Sequence, residues 1–96
     1  MLPVKMRVET RISFDDTASS ASTVMQVVAQ DVPGLLRAIS KTLSELNYNV
    51  EVALVDTEGE TAIDVFYLTR NGGKLDKDEE RVLRRALVQA IEENAR

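Results

Sequence analysis

The sequence predicts an α+β domain in which a four-stranded antiparallel sheet carries two helices on one face, in the order ββαββα. Three observations predict this class. Four segments have the composition of strands, two have the apolar spacing of amphipathic helices, and turn-forming residues separate them. The chain has 96 residues, which is room for one hydrophobic core. We expect a single domain over residues 1–96, with an N-terminal edge strand and loop at 1–22 and the core at 23–94.

The first two predicted strands lie on either side of a polar loop. Residues 4–14 alternate between apolar and polar or charged side chains, which is typical of a half-buried strand. Residues 15–22 are acidic, small or hydroxylated and predict a loop. Residues 23–30 contain three valines and a methionine and predict the second strand.

The first helix is predicted to follow the segment Asp31-Val32-Pro33-Gly34. An aspartate at this point suits the N-cap and a proline suits the first turn. The helix, over 35–46, has leucine and isoleucine at helical spacing, and Asn47-Tyr48-Asn49 ends it.

The second half of the chain predicts a β-hairpin followed by a helix. Strands at 50–57 and 61–69 are joined by the turn Glu58-Gly59-Glu60, and Asn71-Gly72-Gly73 forms a second turn. Asp76 with Glu79 has the spacing of a capping box, so the last helix begins there and runs to about Asn94. The expected strand order is 1-2-4-3, the ferredoxin-like arrangement with its missing edge filled by the first strand.

Composition excludes several function classes. The chain has no histidine and no cysteine, which excludes disulfides, Cys/His zinc sites, a Ser-His-Asp triad and a cysteine nucleophile. A net charge of −4 argues against nucleic-acid binding. The longest apolar runs have four residues, far short of a membrane span. We therefore expect a cytoplasmic protein that is not an enzyme, with no catalytic residue, metal or cofactor.

Four segments together resemble the ACT domain family. The segment Asp31-Val32-Pro33-Gly34-Leu35-Leu36, between a strand and a helix, resembles the ACT signature, and 52–60 and 62–69 match as well. Residues 12–19 look like the strand and loop before the C-terminal ACT domains of PII-protein uridylyltransferases and of ACT-repeat proteins. The resemblance covers about residues 10–92. Two positions depart from the pattern: Val32 replaces a basic residue, and Asp16 stands where asparagine is common.

The resemblance implies a regulatory module in nitrogen or amino-acid metabolism that binds an amino acid or a similar metabolite, often across a dimer interface. The ligand-binding residues it implies are Asp31, Val32, Pro33, Gly34, Leu35, Leu36 and Asn49. Three of them have a structural alternative. Gly34 could serve helix–sheet packing, Asp31 could only cap the helix, and Asn49 could be an ordinary turn residue.

The predicted third strand is the expected partner surface. It lies at an edge of the sheet and has one charged residue in 50–55, so it invites another strand. We expect a homodimer that pairs along residues 49–56, with the 35–46 helices packed together. The alternative is a ligand-free dimerisation or docking domain, such as a fragment of a PII-uridylyltransferase-like protein, and an enzyme ranks last.

Four acidic residues surround the predicted hairpin. Asp56, Glu58 and Glu60 flank its turn and are expected to form a solvated acidic tip rather than a metal site. Asp64 lies inside an otherwise apolar strand. It must therefore face water or have a polar partner.

Overall fold

The computed structural model describes residues 8–96 and has the predicted element order. The strands and helices are β1 (Arg11–Asp15), β2 (Thr23–Gln30), α1 (Leu35–Glu45), β3 (Asn49–Glu58), β4 (Thr61–Thr69) and α2 (Lys77–Asn94). The four strands form one antiparallel sheet in the order β1-β2-β4-β3. The ferredoxin-like ββαββα fold is confirmed.

The strand β1 is shorter than the alternation predicts. Positions 4–7 of the predicted strand lie outside the described residues, and 8–10 are not strand. The ladder with β2 begins at the pair Arg11–Val28. Beyond it, the N–H of Val8 donates to the side-chain Oε1 of Gln30 at 3.0 Å, so a side chain replaces the backbone partner that a longer strand would need.

One face of the sheet and the two helices enclose the core. The core face of β4 presents Ala62, Phe66 and Leu68, all buried, because alternate side chains of a strand share a face. Against it pack the apolar stripes of the helices: Ile39, Leu43, Leu83, Leu87 and Ile91, each at most 2% exposed. None of the helices in residues 8–96 is long and apolar enough to cross a membrane.

The ends of the helices are fixed by local chemistry. The chain leaves α1 through Asn47, which has a positive φ of 62°, a conformation that asparagine tolerates better than most residues. The predicted capping box of α2 is confirmed. The Asp76 side chain accepts from the N–H of Glu79 at 2.8 Å, and the N–H of Asp76 donates to the Glu79 side chain at 2.9 Å.

Candidate functional site

The turn between β2 and α1 is held by backbone hydrogen bonds. The N–H of Asp31 donates to the carbonyl of Glu60 at 2.8 Å, which ties the turn to the β3–β4 hairpin. The N–H of Leu35 then donates to the carbonyl of Val32 at 3.2 Å. Gly34 has a φ of +84°, in the left-handed region that favours glycine. The glycine is therefore required by the backbone, whatever else lies nearby.

The prediction that Asp31 caps α1 is wrong. The N-cap residue is Gly34, and no side chain of the described residues caps the helix. The left-handed turn delays the helix until Leu35, so the Asp31 side chain is three residues too early to reach the first amides. Pro33 likewise precedes the helix rather than occupying its first turn. Asp31 is exposed, so its carboxylate is free of the capping role that the sequence indicated.

The amide end of α1 is open. In residues 8–96, neither Leu36 nor Arg37 has a hydrogen-bond partner for its N–H. The first turn of α1 also contains no acidic residue. Unpaired amides at a helix N-terminus favour an anion, because the N–H groups and the helix dipole point toward it.

Asn94, near the end of α2, lies against the turn. Its Nδ2 donates to the carbonyl of Pro33 at 3.1 Å. Its Oδ1 lies 2.7 Å from the position that a Cβ on Gly34 would occupy. Sequence reasoning missed this residue, since it is 60 positions away in the chain and no local pattern signals the contact.

Asn49 lies far from the 31–36 turn within one chain. It is exposed at the first position of β3, whereas the turn precedes α1, and the 11 residues of α1 separate them by about 16 Å. Asn49 instead borders a cleft of about 350 Å³, and the polar side chains lining this cleft are those of Ser40, Ser44, Asn47, Tyr48 and Asn49. The spacing of Ser40 and Ser44, four residues apart on α1, was the sequence signal for the helical part of this polar lining.

The strand β3 is exposed along its whole length. All ten residues are exposed, and Leu54 and Val55 retain 56% and 57% of their accessible surface. Within residues 8–96 the strand pairs with β4 alone, so its outer edge has backbone groups without a partner in this part of the chain. By register, Val55 lies on the core face beside Asp64, and Leu54 lies on the opposite face beside Val65. Apolar side chains are therefore uncovered on both faces of this edge.

Asp64 is buried on the core face of β4, at 1% exposure. Its Oδ1 accepts from the N–H of Asp56 at 3.4 Å, so the buried carboxyl has the polar partner that the sequence required. Burial raises its pKa, and nearby Asp31 and Asp56 repel the charged form further. The residues at the hairpin tip, Asp56, Glu58 and Glu60, are exposed. Within the described part of the chain, no group of three or more acidic residues is placed to hold a metal ion.

Comparison with known proteins gives consistent results. The model of the ACT domain family matches residues 23–87. A bifunctional uridylyltransferase/uridylyl-removing enzyme of Vibrio atlanticus (strain LGP32) is 40% identical over 90 residues, which cover 93% of this chain and 10% of the relative. The enzyme of the same name from Aliivibrio fischeri (strain MJ11) is 41% identical over 85 residues, covering 88% and 10%.

The chain therefore spans about a tenth of the length of the curated relatives it matches. The similarity covers an ACT-sized segment of each enzyme. Since the family model matches more than half of the chain and the predicted topology is present, this protein belongs to the ACT domain family.

Proposed function

We propose that this ACT domain is a regulatory module that binds an amino acid or a similar small metabolite between two copies of the chain. The observation that carries the proposal is the edge strand β3, in which every residue is exposed and residues 50–55 are apolar except for Glu51. A strand of this kind favours pairing with a second strand, because pairing satisfies its outer N–H and C=O groups and covers its side chains.

The proposed dimer pairs two β3 strands antiparallel along residues 49–56 and places the two α1 helices side by side. The exposed Val55 on the core face and Leu36 on α1, at 57% and 44%, supply apolar surface for that packing. Complete burial of such side chains contributes about 1.5–3 kcal/mol each. The result is a continuous eight-stranded sheet.

This pairing would also assemble the site. In antiparallel register over 49–56, Asn49 of one copy lies opposite Asp56 of the other. Asp56 pairs with Ile63 near the hairpin tip, and that tip is tied to Asp31. Asn49 would thus lie beside the 31–36 turn of the second copy, although the two are separated within one chain.

The chemistry near the turn suits a zwitterion. A ligand carboxylate fits the unpaired amides of Leu36 and Arg37. A ligand ammonium fits the negative charge of Asp31, which is exposed and does not cap the helix. Amino acids carry both groups, and this is why we favour them over a simple anion.

Sedimentation velocity tests the dimer. We expect the wild type to be dimeric at high micromolar concentration and Val55→Lys to be monomeric, since a charge would be buried in the interface. Val82→Lys is the matched control, because Val82 is a valine of similar exposure (54%) on α2. A monomeric wild type, or equal effects of the two variants, would contradict the proposed interface.

Thermal-shift screening against the twenty amino acids tests the ligand. A ligand at 100 times its dissociation constant adds about 2.7 kcal/mol of stability. The proposal predicts such a shift in the wild type and its loss in monomeric Val55→Lys. If the wild type is a dimer that none of the amino acids stabilises, the ligand part of the proposal is wrong and the proposed interface still stands.

The second candidate is a ligand-free dimerisation or docking domain. The position of Asn94 favours it, since this side chain lies against the turn and binds the carbonyl of Pro33. Val32 also favours a ligand-free domain, because it replaces the basic residue that is usual at this position in the family. If Asn94 blocks the site, Asn94→Ala gains amino-acid binding that the wild type lacks. If no amino acid stabilises either protein, the docking function is favoured.

We also propose the kind of regulation in which this domain takes part and the compartment in which it acts. The relatives are named as uridylyltransferase/uridylyl-removing enzymes, and we propose that this domain belongs to the same nitrogen-linked regulation, in the cytoplasm, without catalysing a reaction itself. A chain without cysteine is compatible with that compartment.

A further inference from the structure

Two carboxyl groups meet where the β1–β2 loop touches α2. Asp16 belongs to the loop, and Glu80 lies in the first turns of α2 and is only 5% exposed. Lys77 Nζ lies 2.8 Å from Asp16 Oδ2 and 3.6 Å from Glu80 Oε1, which places the two carboxyl groups next to each other. Asp16 Oδ1 and Glu80 Oε2 are both buried, and neither has a hydrogen-bond donor in the described part of the chain.

Two ionised carboxylates are unstable in this arrangement. Burial disfavours the charged form of Glu80, and like charges in contact disfavour simultaneous ionisation. One proton between the two facing oxygens removes both costs, because one carboxyl then donates to the other. Carboxyl pairs that share a proton in this way titrate as a unit.

We propose that Asp16 and Glu80 share one proton and form a pH-sensitive clamp that fastens the β1–β2 loop to α2. The clamp is closed while the pair holds that proton. It is weakened when Glu80 ionises, since the buried charge of Glu80 and the partly exposed charge of Asp16 then repel each other at the loop–helix contact.

The charged groups around the pair are consistent with a proton and not with a divalent cation. Lys77 of α2 donates to Asp16 Oδ2 at 2.8 Å and lies 3.6 Å from Glu80 Oε1. Lys74, in the segment before α2, donates to the carbonyl of Asp16 at 2.6 Å. Asp15, on the other side of Asp16, adds one negative charge. The ammonium group of Lys77 thus already contacts both carboxyl groups, and no group of three or more acidic residues in 8–96 is placed to hold a metal ion.

The titration directions agree with the geometry. The hydrogen bond from Glu80, helped by Lys77, lowers the pKa of Asp16, whereas burial and the Asp16 carboxylate raise the pKa of Glu80. A raised pKa stabilises the fold at low pH, and this stability is lost as pH rises through the folded-state pKa of Glu80. The lowered pKa of Asp16 stabilises the fold above its ordinary value of 3.8. This stability is lost as pH falls through the folded-state pKa of Asp16. The clamp is therefore strongest at pH values between the folded-state pKa of Asp16 and that of Glu80.

Carboxyl-detected ¹³C NMR of the wild-type chain measures the pair without mutation. We expect Glu80 to titrate above its ordinary value of 4.5 and Asp16 below 3.8, with each resonance also responding to the other's transition. Ordinary, independent titrations of both groups overturn the proposal.

Amide variants then separate a shared proton from other roles. Asp16→Asn and Glu80→Gln each supply a permanent donor, so their urea midpoints should fall less than that of the wild type as pH rises through the Glu80 transition, while Asp64 contributes the same pH dependence to all three proteins. Asp78→Asn is the control, because Asp78 is an exposed acid of the same helix turn paired with Arg81, and it should retain the wild-type pH dependence. A pH dependence in Asp16→Asn equal to that of the wild type overturns the clamp, as does stabilisation of the wild type by Mg²⁺ or Ca²⁺ that both amide variants lose.

Discussion

The two helices begin in opposite ways. The start of α2 is closed by its own side chains, since Asp76 and Glu79 form a capping box and three acidic residues lie in the first turn. The start of α1 has a left-handed glycine and no acidic residue, and no side chain in the described part of the chain caps it. One fold thus contains a helix end built for stability and another left open. In the proposed function, the open end is the one that receives a ligand.

Gly34→Ala is expected to have the largest effect at the open end. It forces an alanine into a positive φ and places its Cβ 2.7 Å from Asn94 Oδ1, at a cost of about 2 kcal/mol. Gly59→Ala is the matched control, because Gly59 also has a positive φ but nothing within 4 Å of the new Cβ. Urea unfolding should give the smaller loss for Gly59→Ala, and equal losses would show that Asn94 does not confine the turn.

Removal of the cap of α2 should have the next largest effect. Asp76→Ala loses the bond to the Glu79 N–H and is expected to cost about 1 kcal/mol. Asp31→Ala should change stability by less than about 0.5 kcal/mol, since Asp31 caps nothing. Chemical denaturation of both variants tests the contrast. A comparable loss in Asp31→Ala would mean that α1 is capped after all.

Asp64→Asn should have the smallest effect, and one that depends on pH. Burial raises the pKa of this carboxyl, so Asp64 contributes stability below its ordinary value of 3.8, and that stability is lost as pH rises through the folded-state pKa. The asparagine variant should therefore match the wild type near pH 3 and exceed it in urea midpoint at pH 7. A less stable variant at pH 7 would indicate that the ionised carboxylate has a favourable partner.

The elements of the fold were predictable because their signals are local. The periodicity of α2 and the Asp76–Glu79 spacing lie within a few residues of each other, and both predictions are confirmed. The start of α1 at residue 35 was predicted correctly, but its cap was not. Aspartate before a Pro-Gly pair suits both a cap and a turn, and the left-handed Gly34 decided in favour of the turn. The contacts of Asn94 with Pro33 and of Asp16 with Glu80 join residues more than 60 positions apart. Only the packed structure brings them together.

The most direct test follows the backbone amides of Leu36 and Arg37 by ¹H–¹⁵N NMR while each amino acid is added to the wild type and to Val55→Lys. If the open end of α1 is half of a site completed by a second copy, at least one amino acid shifts these two resonances in the wild type and leaves them unmoved in the variant. Resonances that no amino acid shifts in a dimeric wild type, or that shift equally in a monomeric variant, would contradict the shared site.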